Sequence, residues 1–93
     1  MVKHIVAYKL KEEVNKTEAV EIIRAALEPL VGQVPGLLHL EIRACFQGMD
    51  YALYSEFDDR KALSDYAEHP LHLAAKEQFH HLLATRVSAD YDC

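Results

Sequence analysis

The stretch Val2-Lys3-His4-Ile5-Val6-Ala7-Tyr8-Lys9-Leu10 alternates in two sets: Val2, His4, Val6, Tyr8 and Leu10 on one face, and Lys3, Ile5, Ala7 and Lys9 on the other. A period of two, with β-branched and aromatic side chains, reads as a β-strand. The first set is apolar apart from His4, and the centre of the second, Ile5 and Ala7, is apolar as well. A strand buried on both faces needs cover on both, and a single layer of helices covers only one.

Outward from this strand, Asn15 with Glu18 three residues later forms a capping-box signal for a helix through about Val31. Val20, Ile23, Leu27, Leu30 and Val31 fall on one stripe of that helix. Pro29 predicts a kink or early fraying, and residues 32–36, with two glycines and Pro35, form the loop that ends the element. Residues 37–46 alternate Leu38, Leu40, Ile42, Ala44 and Phe46 against His39, Glu41, Arg43 and Cys45, which predicts a second strand with one wetter face. Gly48 then marks a hairpin turn over residues 47–50 into a third strand from Tyr51 to Phe57.

Asp58 or Asp59 is placed to cap a helix carrying Ala62, Leu63, Tyr66 and Ala67. Pro70 disfavours helical geometry at His69 yet suits the first turn of a new helix, which should run to about Leu83. Residues 86–91 set Val87, Ala89 and Tyr91 against Ser88 and Asp90 as a final strand. The order is β-α-β-β-α-β, a ferredoxin-like α+β fold with an antiparallel four-stranded sheet and a second helix broken at Pro70.

The 93 residues fit one domain, 1–93, and a chain this short buries roughly 60 to 65% of its unfolded surface. An apolar fraction of 51% is high for so thin a core and points to a partner. The net charge is −5 with lysines and arginines dispersed, so no basic stripe for nucleic acid is present. No segment approaches the ~18 consecutive apolar residues of a membrane span. Cys45 and Cys93 form no CxxC pair and no disulfide framework. A soluble protein of the reducing cytoplasm is expected.

Val2-Lys3-His4-Ile5-Val6, Ser55-Glu56-Phe57-Asp58, Asp65-Tyr66-Ala67-Glu68-His69-Pro70-Leu71-His72 and Asp90-Tyr91-Asp92 together resemble the stress-responsive A/B barrel (Dabb) family, over essentially the whole chain. The resemblance implies a dimeric α+β barrel, in which two protomers pack sheet to sheet as a homodimer; that would cover Ile5 and Ala7. Few members of that family have an assigned activity. Some are stress-induced stability proteins, and one plant branch contains polyketide cyclases that act without a cofactor. The cyclase pattern of one tyrosine and two histidines between helices and sheet corresponds here to Tyr66, His4 and His72.

His72 lies at helical spacing with Ala75, Phe79 and Leu83, so it should face the interior. A neutral imidazole there can remove a proton next to a carbonyl, since its ordinary pKa of about 6.5 lies near working pH. Tyr66 can hold the developing enolate oxygen, and His4, on the face of Val6 and Tyr8, can orient either group or bind substrate. Val6, Tyr8, Phe57, His69 and Phe79 are the candidate lining of the cavity for an unidentified small-molecule ligand. The competing reading makes the three side chains hydrogen-bonded fixtures of the core and of the bend at Pro70, in a non-catalytic stabilising protein. A third reading, haem or metal binding, starts from His69 and His72 with His4 as a further ligand, although no carboxylate or cysteine is committed to it. His80 and His81 are expected at the surface or rim. No cofactor is called for by the leading reading.

Overall fold

A computed structural model describes residues 1–93. It contains β1 (Val2–Leu10), α1 (Lys16–Leu27), β2 (Leu37–Ala44), β3 (Tyr51–Phe57), α2 (Arg60–Glu68), α3 (Pro70–Glu77) and β4 (Leu83–Asp92), with single 3₁₀ turns at Glu28–Leu30 and His80–Leu82. The strands form one antiparallel sheet in the order β2-β3-β1-β4. The fold is thus ferredoxin-like α+β, with both helical segments on one face of the sheet.

The ends of the helices are set by side chains. The Asn15 side chain accepts a hydrogen bond from the backbone N–H of Glu18 at 3.0 Å, and Asp59, not Asp58, accepts from that of Ala62 at 2.8 Å. Each satisfies a donor that the first helical turn cannot. Regular α-helix ends at Leu27, short of the expected Val31, because Pro29 fits the tighter 3₁₀ turn and cannot donate. At the Pro70 break the His69 imidazole caps α3, its Nδ1 accepting from the N–H of Leu71 at 3.0 Å.

Three sequence expectations are corrected. Helix α3 ends at Glu77 rather than Leu83, because Leu83 is taken up by the sheet opposite Leu10 and the N–H of Lys11 bonds Leu82 O at 2.9 Å. The last strand accordingly begins at Leu83 rather than residue 86. Strand β2 ends at Ala44, and a register shift between Leu37 and His39 breaks its alternation, so that Leu37 turns inward and Leu38 outward. Phe46 lies beyond the strand and is fully exposed.

The core lies between the helices and the inner sheet face, with Val6, Ile23, Ile42, Tyr51 and Phe57 sealed from solvent. The outer face carries no helix. There Ile5, Ala7, Ala52, Val87, Ala89 and Tyr91 form an apolar centre, half-buried on the inner strands and exposed on β4, where Val87 keeps 58% and Tyr91 48% of its surface. Polar groups flank it: Tyr54 donates to Glu56, Lys3 lies 5.8 Å over the Tyr54 ring, and Arg43 pairs with Glu41 at 3.6 Å. No helix is long and apolar enough to cross a membrane.

Gly36, at the entry to β2, has φ +84°, and a Cβ there would lie 2.5 Å from the Ala62 Cβ of α2. Gly48 has a similar φ of +85° but open space around it. Gly36→Ala should therefore cost about 2 to 4 kcal/mol, left-handed strain plus overpacking, and Gly48→Ala only about 1 to 2 from strain. Thermal melting of both variants checks this: Gly36→Ala should melt clearly below Gly48→Ala, and equal melting temperatures would contradict the contact.

Candidate functional site

The sheet inner face is not covered evenly. The helices lie over β2, β3 and β1, whereas β4 turns Arg86, Ser88, Asp90 and Asp92 toward the helical side, opposite Tyr8, Val6, His4 and Val2 of β1. Its apolar set, Val87, Ala89 and Tyr91, points to the outer face. The wedge between this polar strand face and α2 and α3 is a cavity of about 420 Å³, within the range of small-molecule sites. Leu27, Leu53, Leu63, Phe79 and Leu83 make its apolar wall, and His4, Tyr66, His72, Lys76, Arg86 and Asp90 supply its polar groups.

His4, Tyr66 and His72 therefore line one cavity. Tyr66 and His72 belong to different helices, yet their rings lie 4.2 Å apart between centroids, because the break at Pro70 folds the start of α3 back toward the last turn of α2. The Phe57 ring joins this pair to the first strand, 5.2 Å from Tyr66 and 6.3 Å from His4. Tyr8 and Phe79 also line the cavity. The other expected lining residues do not: Val6 and Phe57 are sealed in the core beneath it, and His69 is engaged as the cap of α3.

The hydrogen bonds fix how the imidazoles can act. His72 Nδ1 lies 3.3 Å from the Ala67 carbonyl, which can only accept. The proton therefore sits on Nδ1, and Nε2 of the neutral ring carries a lone pair. Burial lowers the pKa of His72 below the ordinary 6.5, outweighing the bond to Ala67; the Lys76 cation and the nearby His4 and His69 lower it further. Burial likewise raises the Tyr66 phenol above its ordinary 10.0. Tyr66 is thus a proton donor at neutral pH, and its hydroxyl is not among the sealed, unpartnered polar atoms, of which Tyr51 supplies the one case.

Asp90, a polar position of the last strand and part of the Asp90-Tyr91-Asp92 segment that carries the family resemblance but not a candidate site residue, sits directly across the ladder from His4, and its carboxylate accepts a hydrogen bond from His4 Nδ1. His4 is nearly enclosed, with 12% of its side chain exposed, against 46% for Asp90. The pair leaves His4 Nε2 as the free ring nitrogen. Below it, the Ser55 hydroxyl donates to the His4 carbonyl at 3.3 Å, anchoring the strand. Lys76 and Arg86 were also beyond sequence reasoning as site residues. The signal available for Arg86 and Asp90 was the alternation of β4 itself, whose polar positions share a face.

No three His, Cys, Asp or Glu side chains are grouped to hold a metal ion, and the His69 nitrogen that faces its own helix is occupied by the cap. His80 and His81 are exposed, with rings 6.2 Å apart edge to face, away from the cavity lining.

The sequence profile of the stress responsive A/B barrel domain (Dabb) matches residues 2–93. An uncharacterised protein of Streptomyces coelicolor is 35% identical, the match covering 99% of each chain. Among solved structures, a dimeric ferredoxin-like protein of unknown function from Bacteroides fragilis is 31% identical with a TM-score of 0.89, covering 99% of this chain and 95% of its own. A dimeric ferredoxin-like protein of unknown function from Thermobifida fusca is 25% identical with a TM-score of 0.84, covering 99% and 90%.

Because the folded pKa of His72 lies below its unfolded value, its contribution to stability is complete above about pH 6.5 and is lost as pH falls from there through the folded value. Proton NMR titration should find the His72 ring titrating below 6.5 and rising in Lys76→Met. A midpoint at or above 6.5 in the wild type would contradict the burial of the imidazole.

Proposed function

The chain belongs to the stress responsive A/B barrel domain family, and from that membership we propose a homodimer, closed by packing of the two outer sheet faces, in which each cavity binds a small carbonyl compound and promotes its enolisation without a cofactor. The dimeric state of the Bacteroides fragilis and Thermobifida fusca relatives supports the first part, as does the apolar centre around Ile5, Ala7 and Val87. We place this activity in the cytoplasm, with neither nucleic acid nor membrane as partner.

One observation carries the chemical part: a neutral-leaning His72 and a protonated Tyr66 with rings 4.2 Å apart in an apolar-walled cavity. In the reaction, His72 Nε2 takes a proton from the carbon next to the carbonyl. The C–H electron pair becomes the C=C bond of the enolate, the carbonyl π pair moves to oxygen, and the Tyr66 hydroxyl donates a hydrogen bond to that oxygen. Return of the proton to carbon completes an exchange. Alternatively, the enolate carbon attacks a second carbonyl of the same molecule, whose π pair becomes an alkoxide that takes the proton back from His72 Nε2, completing an aldol closure. His4, held by Asp90, orients the bound carbonyl compound through its other ring nitrogen.

This division of labour follows from environment. An imidazole whose pKa is lowered remains an available base at neutral pH, and a phenol whose pKa is raised remains a donor. General-base catalysis is typically worth about 10² to 10⁴ in rate. The water-poor wall strengthens the hydrogen bond to an oxyanion relative to bulk solvent.

The test uses benzylacetone in D₂O, with loss of its α-protons followed by NMR. The wild type should accelerate exchange over buffer, His72→Ala should return the rate to near that of buffer, and Tyr66→Phe should retain binding with about a 10²-fold lower rate. Exchange at the wild-type rate in a folded His72→Ala variant would remove His72 as the base. Binding without exchange in the wild type would reassign the cavity to a non-catalytic, stabilising role.

A further inference from the structure

The chain has 10 lysines and arginines against 15 acids, and half of the cations have a carboxylate at hand. Lys16, Arg24, Arg43, Arg60 and Lys61 each lie within salt-bridge distance of one. Lys76 and Arg86 line the cavity and have no carboxylate within that distance. Lys3, Lys9 and Lys11 are likewise without a carboxylate partner, but of the unpaired cations Lys76 and Arg86 alone line this cavity, in a chain whose net charge is −5. The one acid of the lining, Asp90, already has its carboxylate on His4.

We propose that the ligand of this cavity is a small molecule with an apolar body and an anionic headgroup, a carboxylate or a phosphate, held by Arg86 and Lys76; this rests on the reading of the cavity as a binding site. The direction of binding follows from the strand. Arg86 and Asp90 are four residues apart on one face of β4, about 13 Å at the rise of a strand. One end of the floor is Arg86 beside Tyr8, and the other is Asp90 beside His4, near Phe57 and Tyr66. An anion on the Arg86 guanidinium directs the rest of the molecule along Leu53, Leu63 and Phe79 toward Tyr66 and His72. A guanidinium suits this task because its planar fork meets carboxylate or phosphate oxygens in pairs. Both cations are exposed, so neither was desolvated at the cost of folding, and each can exchange water for an anion.

Fluorescence titration of the full chain with 2-naphthoate, 2-naphthyl phosphate and the uncharged 2-naphthamide tests this. The two anions, or one of them, should bind at least about tenfold more tightly than the amide, the discrimination expected of charge-assisted hydrogen bonds. A preference between carboxylate and phosphate identifies the headgroup. In the Lys76→Met, Arg86→Met double variant the ratio of anion to amide affinity should fall to about one; a ratio kept at its wild-type value overturns the role of these two cations. In the wild type, added salt should weaken the anions alone, a readout that does not depend on the variant folding. Equal affinity for all three probes overturns the anionic headgroup and leaves the cavity reading standing. If none of the three binds, the binding-site reading fails and the headgroup with it.

Discussion

One layer of helices over a sheet that is apolar on both faces is the constraint from which the rest of this structure follows. The inner face has enough cover at β2, β3 and β1 to seal Val6, Ile42, Tyr51 and Phe57. It has too little to reach β4, and that strand accordingly turns polar residues inward and apolar ones outward. The same shortage therefore creates two features: an unfilled wedge with a polar floor, where a ligand can enter, and an apolar outer face, where a second copy can pack. Apolar area removed from water there is worth roughly 25 cal/mol per Å². A small domain with a thin core draws a substantial share of its stability from such a contact.

Pro70 is the second determinant. An unbroken helix would send the residue six positions after Tyr66 more than a turn further along the axis, whereas the break brings His72 against Tyr66. Ala67 then lies within reach of the His72 ring and dictates which nitrogen keeps the proton. The cap supplied by His69 makes the break stable at little cost, and it also removes His69 from the cavity, whose lining the spacing alone would assign it to. Acid–base character at the site is therefore a consequence of backbone geometry and burial acting together.

Much of the fold was legible because alternation and helix spacing are properties of consecutive residues. Strand β1, the Asn15 cap and the Pro70 break could be read in this way, and so could the inward face of His4. Boundaries failed where distant pairing decides them: Leu83 reads as the end of a helical stripe, but its partner Leu10 claims it for the sheet. The shift at Leu38 failed for the same reason, since a bulge depends on the neighbouring strand. In the site, Tyr66, His72 and His4 were nameable as a trio only through the family resemblance, and the pairing of His4 with Asp90 needs the β1–β4 register, which sequence spacing does not contain. Lys76 and Arg86 stayed hidden because an unpaired cation is recognisable only once every possible partner has a position.

Sedimentation equilibrium at micromolar concentration, on the wild type and on an Ile5→Glu, Val87→Glu variant, tests the central claim that the outer sheet face is closed by a second copy. The account predicts a wild-type mass of twice the 10.6 kDa chain and dissociation of the variant. A wild-type protein that sediments as a stable 10.6 kDa monomer would contradict it.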